Sequence, residues 1–563
     1  MVQSRSRREF TPALMRPTAR NVMSLRRMSP VLALLAGVGQ AWSLADATGQ
    51  AHGAVQMLCM AGVCILLLAE QAHAQGAHAA APTLWLRGAR LGWWFATGWL
   101  CATFWWLYIS MHVYGGMPSA LAVTAVVALA GALALYYAAA CGVWLVLMQG
   151  VTGAALVWRG SACWAALWTL AELMRGQWFT GFPWGAIGYA HVDSGLQGYA
   201  AWVGVYGVGG LAAAGAMALA VWVHQQPLGL GFAKWTLLAA IGLGAPWAWQ
   251  QGFGDWTQTA GQSTVRLLQG NIAQDEKFIP GRGLDDALQW YGQRLHDNTA
   301  SLVVAPETAI PLLPASLPAG YWSALAQRFA QHPDQLALVG MPLGSLQTGY
   351  SNAVVSLGGG GMTPYQYRKH HLVPFGEFIP PLFRWFITLM HMPLGDFQRG
   401  ALRQPAVAWQ NQRLALNICY EDLFGEELAA SFVPSTSSNP ADWPPTALVN
   451  VSNIAWFGNT VAIDQHLNIS RMRTLELQRP MLRATNTGAT AIIDHQGRVQ
   501  AQLARHTRGE LNGPFEGRTG LTPYAWWAGH AGLAPLWLVC LGVCAGSWRA
   551  RLRRERGSAP VAP

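Results

Sequence analysis

The sequence predicts a polytopic α-helical membrane domain joined to a water-soluble α/β domain, and three observations carry that prediction. Charged residues make up only 11% of the 563 positions, against about 25% in ordinary soluble domains. Apolar runs of about 20 residues, long enough to cross a bilayer, recur through the first 250 positions. Beyond them, short strand-like runs alternate with helical patterns, which is the texture of an α/β domain.

The apolar runs lie near 31–48, 54–71, 91–112, 118–147, 160–175, 195–223 and 232–250, with a further one near 527–548. That makes about eight spans. The first is interrupted by Gln40, Ser43 and Asp46, and its basic approach resembles a secretory signal. No small-residue cleavage site followed by a soluble domain accompanies it, so it reads as a retained span.

The net charge of +10 sits largely at the two ends. Arg5, Arg7, Arg8, Arg16, Arg20, Arg26 and Arg27 open the chain, and Arg549, Arg551, Arg553, Arg554 and Arg556 close it. A nucleic-acid footprint would form a patch or stripe on a folded domain; these clusters instead flank apolar segments, where cytoplasmic positive charge sets membrane orientation. Arg87, Arg90, Arg159 and Lys234 fall in the loops expected inside, whereas outer loops 49–53 and 113–117 contain no Lys or Arg. The expected organisation is a basic cytoplasmic N-terminus (1–30), a seven-helix membrane domain (31–250), an outside soluble domain (251–525), a last span (526–548) and a basic cytoplasmic tail (549–563). In a Gram-negative envelope this is an inner-membrane protein with the soluble domain in the periplasm.

Within the fifth span, Glu172 and Arg175 stand one turn apart before the aromatic turn Thr180–Trp184, TGFPW. Such a pair is either a helix-end salt bridge or a functional pair facing a cavity. In the soluble part, strand-like runs occupy 265–272, 301–309, 336–343, 414–421, 446–453 and 489–497, and helical patterns 284–298, 322–331 and 461–479. The Ser- and Pro-rich stretch 431–445 reads as an exposed loop. The aromatic, proline-broken segment 375–397, with Phe378 and Trp385, is either core or a flap against lipid.

Seven of the eight cysteines lie in the apolar runs; Cys419, at the end of the run LALNICYE, is the exception. A single thiol at a strand end is either a small buried hydrophobe or a nucleophile. Glu307 in VVAPETAIP and Lys369 in YRKHHLVPFGEF also stand at strand ends. Alone, each suits a solvated turn. Together they supply a base, a cation and a thiol, and a thiol needs a nearby base or positive charge to react as thiolate.

Here the chain resembles a known family. PET at 306–308, RKHHLVPFGEFIP at 368–380 and CYED at 419–422 resemble the three catalytic motifs of the nitrilase, or carbon–nitrogen hydrolase, superfamily. LLQGNI, NVSNIAWFG at 450–458, RMRTLELQRPMLRATNTG at 471–488, GLTPY at 520–524 and the TGFPW turn resemble its membrane branch, the apolipoprotein N-acyltransferases. The resemblance implies an αββα sandwich with Glu307 as general base, Lys369 as oxyanion stabiliser and Cys419 as nucleophile. It places Glu377, Tyr420 and Glu421 in supporting positions, with the Tyr420 N–H as a second oxyanion donor. Trp456 matches an aromatic near the pocket mouth, and Phe278 stands where the family often has Trp; with Phe378 and Trp385 these are expected substrate contacts.

The implied reaction is a two-step acyl transfer through a Cys419 thioester. A membrane phospholipid is the donor, and the α-amino group of an apolipoprotein's diacylglyceryl-cysteine is the acceptor. No cofactor or metal is implied, the bilayer is the working surface, and the protein is expected to be a monomer. Two other readings stay open on the residues: a membrane-tethered amidase or nitrilase using water as acceptor, and a transporter or receptor carrying a non-catalytic soluble domain. A fused glycosyltransferase is not expected, since no residues remain for a second soluble domain.

Overall fold

Side-chain alternation along strands sets up two separate cores in the soluble part. The computed structural model describes residues 19–557 except 77–79, most of 226–253, 346, 361–363, 380–396 and 434–442. One sheet contains β1 (Thr257–Gln269), β2 (Leu302–Val304), β3 (Leu336–Ser345), β4 (Gly349–Gly358) and β5 (Gln366–Arg368). The other contains β6 (Val407–Trp409), β7 (Gln412–Ile418), β8 (Ala447–Ser452), β9 (Met481–Thr485), β10 (Ala491–Ile493) and β11 (Val499–Gln502). The last strand, β12 (Gly509–Gly520), returns to the first sheet, giving the orders β12-β1-β2-β3-β4-β5 and β11-β10-β9-β8-β7-β6.

Successive residues of a strand point to opposite faces, and the cores follow that rule. Leu302 and Val304 of β2 join Ala447, Val449 and Val451 of β8 between the sheets. Val303 turns the other way, onto helices Gly283–His296 and Tyr321–Ala330. On the far side Leu448 packs with Ile463 and Ile469 of helix Ala462–Leu477, in a core continuous with Trp99 and Trp168 of the apolar helices. The layers are therefore helix, sheet, sheet, helix, with the last helix seated on the membrane-type helices.

All three expected helical patterns in this domain form, at Gly283–His296, Tyr321–Ala330 and Ala462–Leu477. The six expected strand runs each hold a strand, but the described residues form twelve. The missed ones include β12, whose Gly-rich sequence GELNGPFEGRTG lacks an apolar alternation. It is held by main-chain pairing with β1 from Gln269↔Gly509 to Thr257↔Gly520.

Among the described residues three helices are long and apolar enough to cross a membrane, Gly53–Ala74, Ser119–Met148 and Gln197–Gln225. A fourth joins them if the bent pair Pro523–Ala531 and Ala534–Arg556 counts as one span. Three more expected spans are helical but fall short for visible reasons: Ala19–Trp42 opens with arginines, Ala81–Phe104 contains Arg87 and Arg90, and Ser161–Gln177 has only 17 residues. The expected run 91–112 corresponds to a helix that ends at Phe104, eight positions early, before a turn and the π-helical Ser110–Tyr114. The expected run 527–548 is not one straight helix, because it bends by 90° where Gly532 adopts φ +56°. The seventh run, 232–250, lies almost wholly outside the described residues, as do Trp385 with most of 375–397 and most of loop 431–445.

Candidate active site

Strand ends of both sheets converge on one buried polar cluster. Glu307 lies three residues past β2, Lys369 directly follows β5, and Cys419 directly follows β7. Ligand sites in α/β sheets gather at such carboxyl ends because the chain there leaves the ladder and exposes side chains and main-chain donors. Cys419 has φ +53°, a left-handed conformation disfavoured for a residue with a Cβ. Held strain of this kind clusters at active sites.

The charges interlock. The Lys369 ammonium, 1% exposed, lies 2.9 Å from Glu377 Oε1 and 3.5 Å from Glu307 Oε1. The Asn352 amide donates to the same two oxygens, at 2.6 Å to Glu307 and 2.8 Å to Glu377. Glu307 Oε2 accepts the Asn453 N–H at 2.8 Å, which ties the first sheet to the end of β8. Glu377 Oε2 accepts the Val373 N–H at 2.8 Å. Burial disfavours the Lys369 cation, but Glu377, Glu307 and Cys419 outweigh it and raise its pKa above the ordinary range.

Cys419 is partly buried. Burial, and next the Glu307 charge, push its thiol up to about 12, against opposing contributions from Lys369, Ser452 and the Asn453 N–H. The resting thiol is thus protonated near neutral pH, and forming a thiolate requires proton removal at the moment of attack.

Two devices fix the turn that carries the thiol. Glu421 Oε2 accepts from the Ile418 N–H at 2.6 Å and the Tyr367 hydroxyl at 2.9 Å. Its Oε1 accepts from the N–H groups of His370 and His371, at 2.6 and 3.1 Å, so one carboxylate clamps the Lys369 segment to the Cys419 segment. Behind the turn, Arg483 donates to His466 Nδ1 at 2.6 Å. This leaves Nε2–H to donate to Asp422 at 2.8 Å, with the Cys419 carbonyl at 3.3 Å.

The apolar helices supply a platform. The Tyr420 hydroxyl donates to the Gly181 carbonyl at 3.0 Å, and His371 Nε2 meets the Thr180 carbonyl at 3.0 Å. Arg175 Nη1 donates to the carbonyls of Phe182 and Trp184 at 2.6 and 2.7 Å, and Glu172 accepts the Ile187 N–H at 2.9 Å. Arg175 therefore holds the TGFPW turn and Glu172 the start of the 3-10 helix Ile187–His191 just beyond it.

The structure brings Glu307, Lys369, Cys419, Glu377 and Glu421 together, with the Tyr420 side chain turned toward the helices. Trp456 lies at that boundary, edge-on to Tyr114 at 5.7 Å. Phe278 is exposed and follows in sequence the residue Lys277, which reaches Glu307. Phe378 faces Arg399, whose guanidinium lies 5.2 Å from the ring. Residues missed in the sequence are Asn352, Asn453 and Lys277. Lys277 is 1% exposed and donates to the Glu307 carbonyl at 3.3 Å, and burial pulls its pKa down to about 8 while Glu307 opposes that shift. The one available signal for Asn352 was a polar residue in the apolar run NAVV of β4.

Family comparison agrees with this architecture. Residues 52–218 match the apolipoprotein N-acyltransferase N-terminal domain and residues 264–512 the carbon–nitrogen hydrolase domain. A relative named apolipoprotein N-acyltransferase from Verminephrobacter eiseniae is 50% identical, over 93% of this chain and 97% of its own length. Relatives of the same name from Ralstonia nicotianae and Bordetella bronchiseptica are 46% and 40% identical, over 77% and 92% of this chain and 80% and 99% of theirs. With two domain matches in order and half of the aligned positions identical over 93% of its length, the chain belongs to the apolipoprotein N-acyltransferase family, an enzyme family of the carbon–nitrogen hydrolase superfamily.

Proposed function

We propose that the protein moves an acyl chain from a membrane phospholipid to the α-amino group of an apolipoprotein's N-terminal diacylglyceryl-cysteine, through a thioester on Cys419. The observation that carries this reading is the Glu307–Lys369–Cys419 constellation, set on a docking face of apolar helices. Cys419 Sγ attacks the ester carbonyl as Glu307 takes the thiol proton; a thiol held up to about 12 requires that coupling. The Lys369 ammonium, kept protonated by its carboxylates, faces the charge that develops on the carbonyl oxygen, and the Tyr420 N–H is a second donor. The C–O bond breaks, and the proton on Glu307 leaves with the lysophospholipid. The acceptor amine then attacks the thioester, Glu307 takes an amine proton, the C–S bond breaks, and an amide and free thiol result.

Glu377 and Glu421 act as positioning residues, one on Lys369 and one on the nucleophile turn. Trp456, Phe278, Phe378 and Trp385 are assigned to lipid contact. The proposed topology has about eight spans, both termini in the cytoplasm, residues 251–525 in the periplasm and a monomeric chain in the inner membrane. It is supported by the apolar helices and the Lys- and Arg-free loops 49–53 and 113–117.

The test is intact-protein and peptide mass spectrometry after incubation with phospholipid and no acceptor. The Cys419 peptide should gain one acyl mass and lose it when a diacylglyceryl-cysteine peptide is added, with an amide appearing on that peptide. An unmodified Cys419 rules out the thioester. Release of free fatty acid with no amide makes the protein a hydrolase.

A further inference from the structure

A groove of about 940 Å³ opens at the end of the apolar helices remote from the catalytic domain. Its lining includes Arg27, Arg87 and Arg90, the carboxylate of Glu70, and an apolar wall with Trp85, Trp93 and Leu135. The location follows from helix direction. Helix Ala81–Phe104 reaches the catalytic face at its C-terminal end, where the Phe104 ring lies 4.7 Å from Phe182 of the TGFPW turn. Arg87 lies near the other end, about 25 Å away along the axis at about 1.5 Å per residue. Two further arginines reach the same end, Arg551 and Arg554 donating to the carbonyls of Val146 and Leu147.

The groove is amphipathic in the manner of a lipid. Three guanidinium groups stand against one carboxylate, so its polar end is net positive. Arg87 Nη1 is buried with no hydrogen-bond acceptor among the described residues, the Glu70 carboxylate standing 3.7 Å away as its ion-pair partner. Trp93, one turn further along the helix than Arg90, and exposed Leu135 on helix Ser119–Met148 supply the apolar wall on the bilayer side of the arginines, while exposed Trp85 and Leu86 stand at the outer end beside Arg87. Tryptophan with arginine at a helix end marks the membrane interface, and basic pockets between spans on the cytoplasmic side suit anionic headgroups.

We infer that this groove holds an anionic glycerophospholipid of the leaflet opposite the catalytic domain. Its phosphodiester sits on Arg87, Arg90 and Arg27, and one acyl chain lies along Trp93 and Leu135. The inference rests on the membrane-spanning part of the reading above and not on the acyl chemistry. The lipid is a lasting ligand and not the acyl donor, since the bilayer core separates it from Cys419.

The full chain is reconstituted in phosphatidylcholine nanodiscs containing a trace of photoactivatable phosphatidylglycerol. Cross-linked peptides are mapped, and acyl-Cys419 formation is timed in the same samples. The label should map to residues 83–93, and a photoactivatable phosphatidylcholine should not label them. Arg90→Gln, at an exposed position, should weaken phosphatidylglycerol retention by about fivefold, the factor matching the ~1 kcal/mol that a basic side chain contributes at an anionic bilayer surface. Arg87→Gln/Arg90→Gln should lose about the square of that factor. Equal labelling by both lipids, label elsewhere, or unchanged retention in Arg90→Gln overturns the site. Correct labelling with no acyl-Cys419 would instead overturn the catalytic reading and leave the groove assigned.

Discussion

Two buried charge clusters in the same domain are built on opposite plans. Around Lys369, all four carboxylate oxygens of Glu307 and Glu377 accept hydrogen bonds, from Asn352, Lys369 and two main-chain N–H groups. At the seam with the apolar helices, Arg473 and Glu476 also pair at 3.1 Å with both side chains fully buried. There, among the described residues, Arg473 Nε and Nη1 and Glu476 Oε2 have no hydrogen-bond partner. Glu476 Oε1 accepts the Val205 N–H of the helix Ala200–Gln225 at 2.7 Å, and a Cβ on Gly425 would crowd Arg473 Nη1. A saturated cluster fixes atoms to the tolerance that chemistry needs. A partly satisfied pair specifies which surfaces dock, at a cost in desolvation.

The sharpest way to break the contrast is Glu307→Gln. Gln keeps the shape and can still accept from Asn453, so the variant should fold. Losing the general base should slow acyl-Cys419 formation by ~10²–10⁴-fold. Circular dichroism and single-turnover mass spectrometry check both halves, and wild-type turnover would remove Glu307 from the base role.

At the seam the expected effect is on stability instead. Arg473→Met leaves Glu476 buried without its cation and should cost ~3–5 kcal/mol. Arg473→Met/Glu476→Leu should recover most of that loss, because an apolar pair needs no desolvation of charge. If the double variant is as unstable as the single one in denaturant titration, the pair is not the docking device described here.

Lys277 gives the contrast a pH signature. Its folded pKa of about 8 lies below the ordinary 10.5. Between those values the unfolded chain binds more protons than the folded one, so stability should rise with pH across that window. The rise attributable to Lys277 is ~3 kcal/mol. It is absent below about pH 8, where both states carry the proton. Lys277→Met should flatten that rise. Parallel wild-type and variant profiles from pH 7 to 10 would show that Lys277 is not the buried cation responsible.

What the sequence made legible follows from how each feature is encoded. Cys419 and Glu307 stand out because each follows an apolar strand, where a chemistry-bearing residue breaks a pattern; Lys369 follows the polar strand Gln366–Arg368 and is legible only through the RKHHLVPFGEFIP motif. Glu421 and Glu377 came with the same words. Asn352 was hidden because its function is two hydrogen bonds to residues 45 and 25 positions away, and no local pattern encodes those partners. β12 was hidden because main-chain pairing leaves little trace in side chains. The bend at Gly532 was missed for the converse reason: hydropathy averages over a window, and one residue at positive φ turns the chain without changing the average. The helix count suffered similarly, since Arg87 and Arg90 occupy a helix that the apolar run only partly overlaps.

Asn352 is the finest test of the saturated cluster. Its one amide holds both carboxylates that flank Lys369, so Asn352→Ala removes two charge-assisted hydrogen bonds and leaves the charges in place. Hydrogen bonds to charged groups contribute ~1.5–3 kcal/mol, equivalent to roughly tenfold to a hundredfold in rate. The loss should fall on kcat, because the Asn352 amide bonds the two carboxylates that set Lys369. KM for phospholipid should stay near the wild-type value. Asn352→Asp should be worse than Asn352→Ala, since a third carboxylate beside Glu307 and Glu377 competes for one Lys369 ammonium. If Asn352→Ala raises KM and leaves kcat unchanged, the amide contacts substrate and the saturation of the carboxylates is incidental.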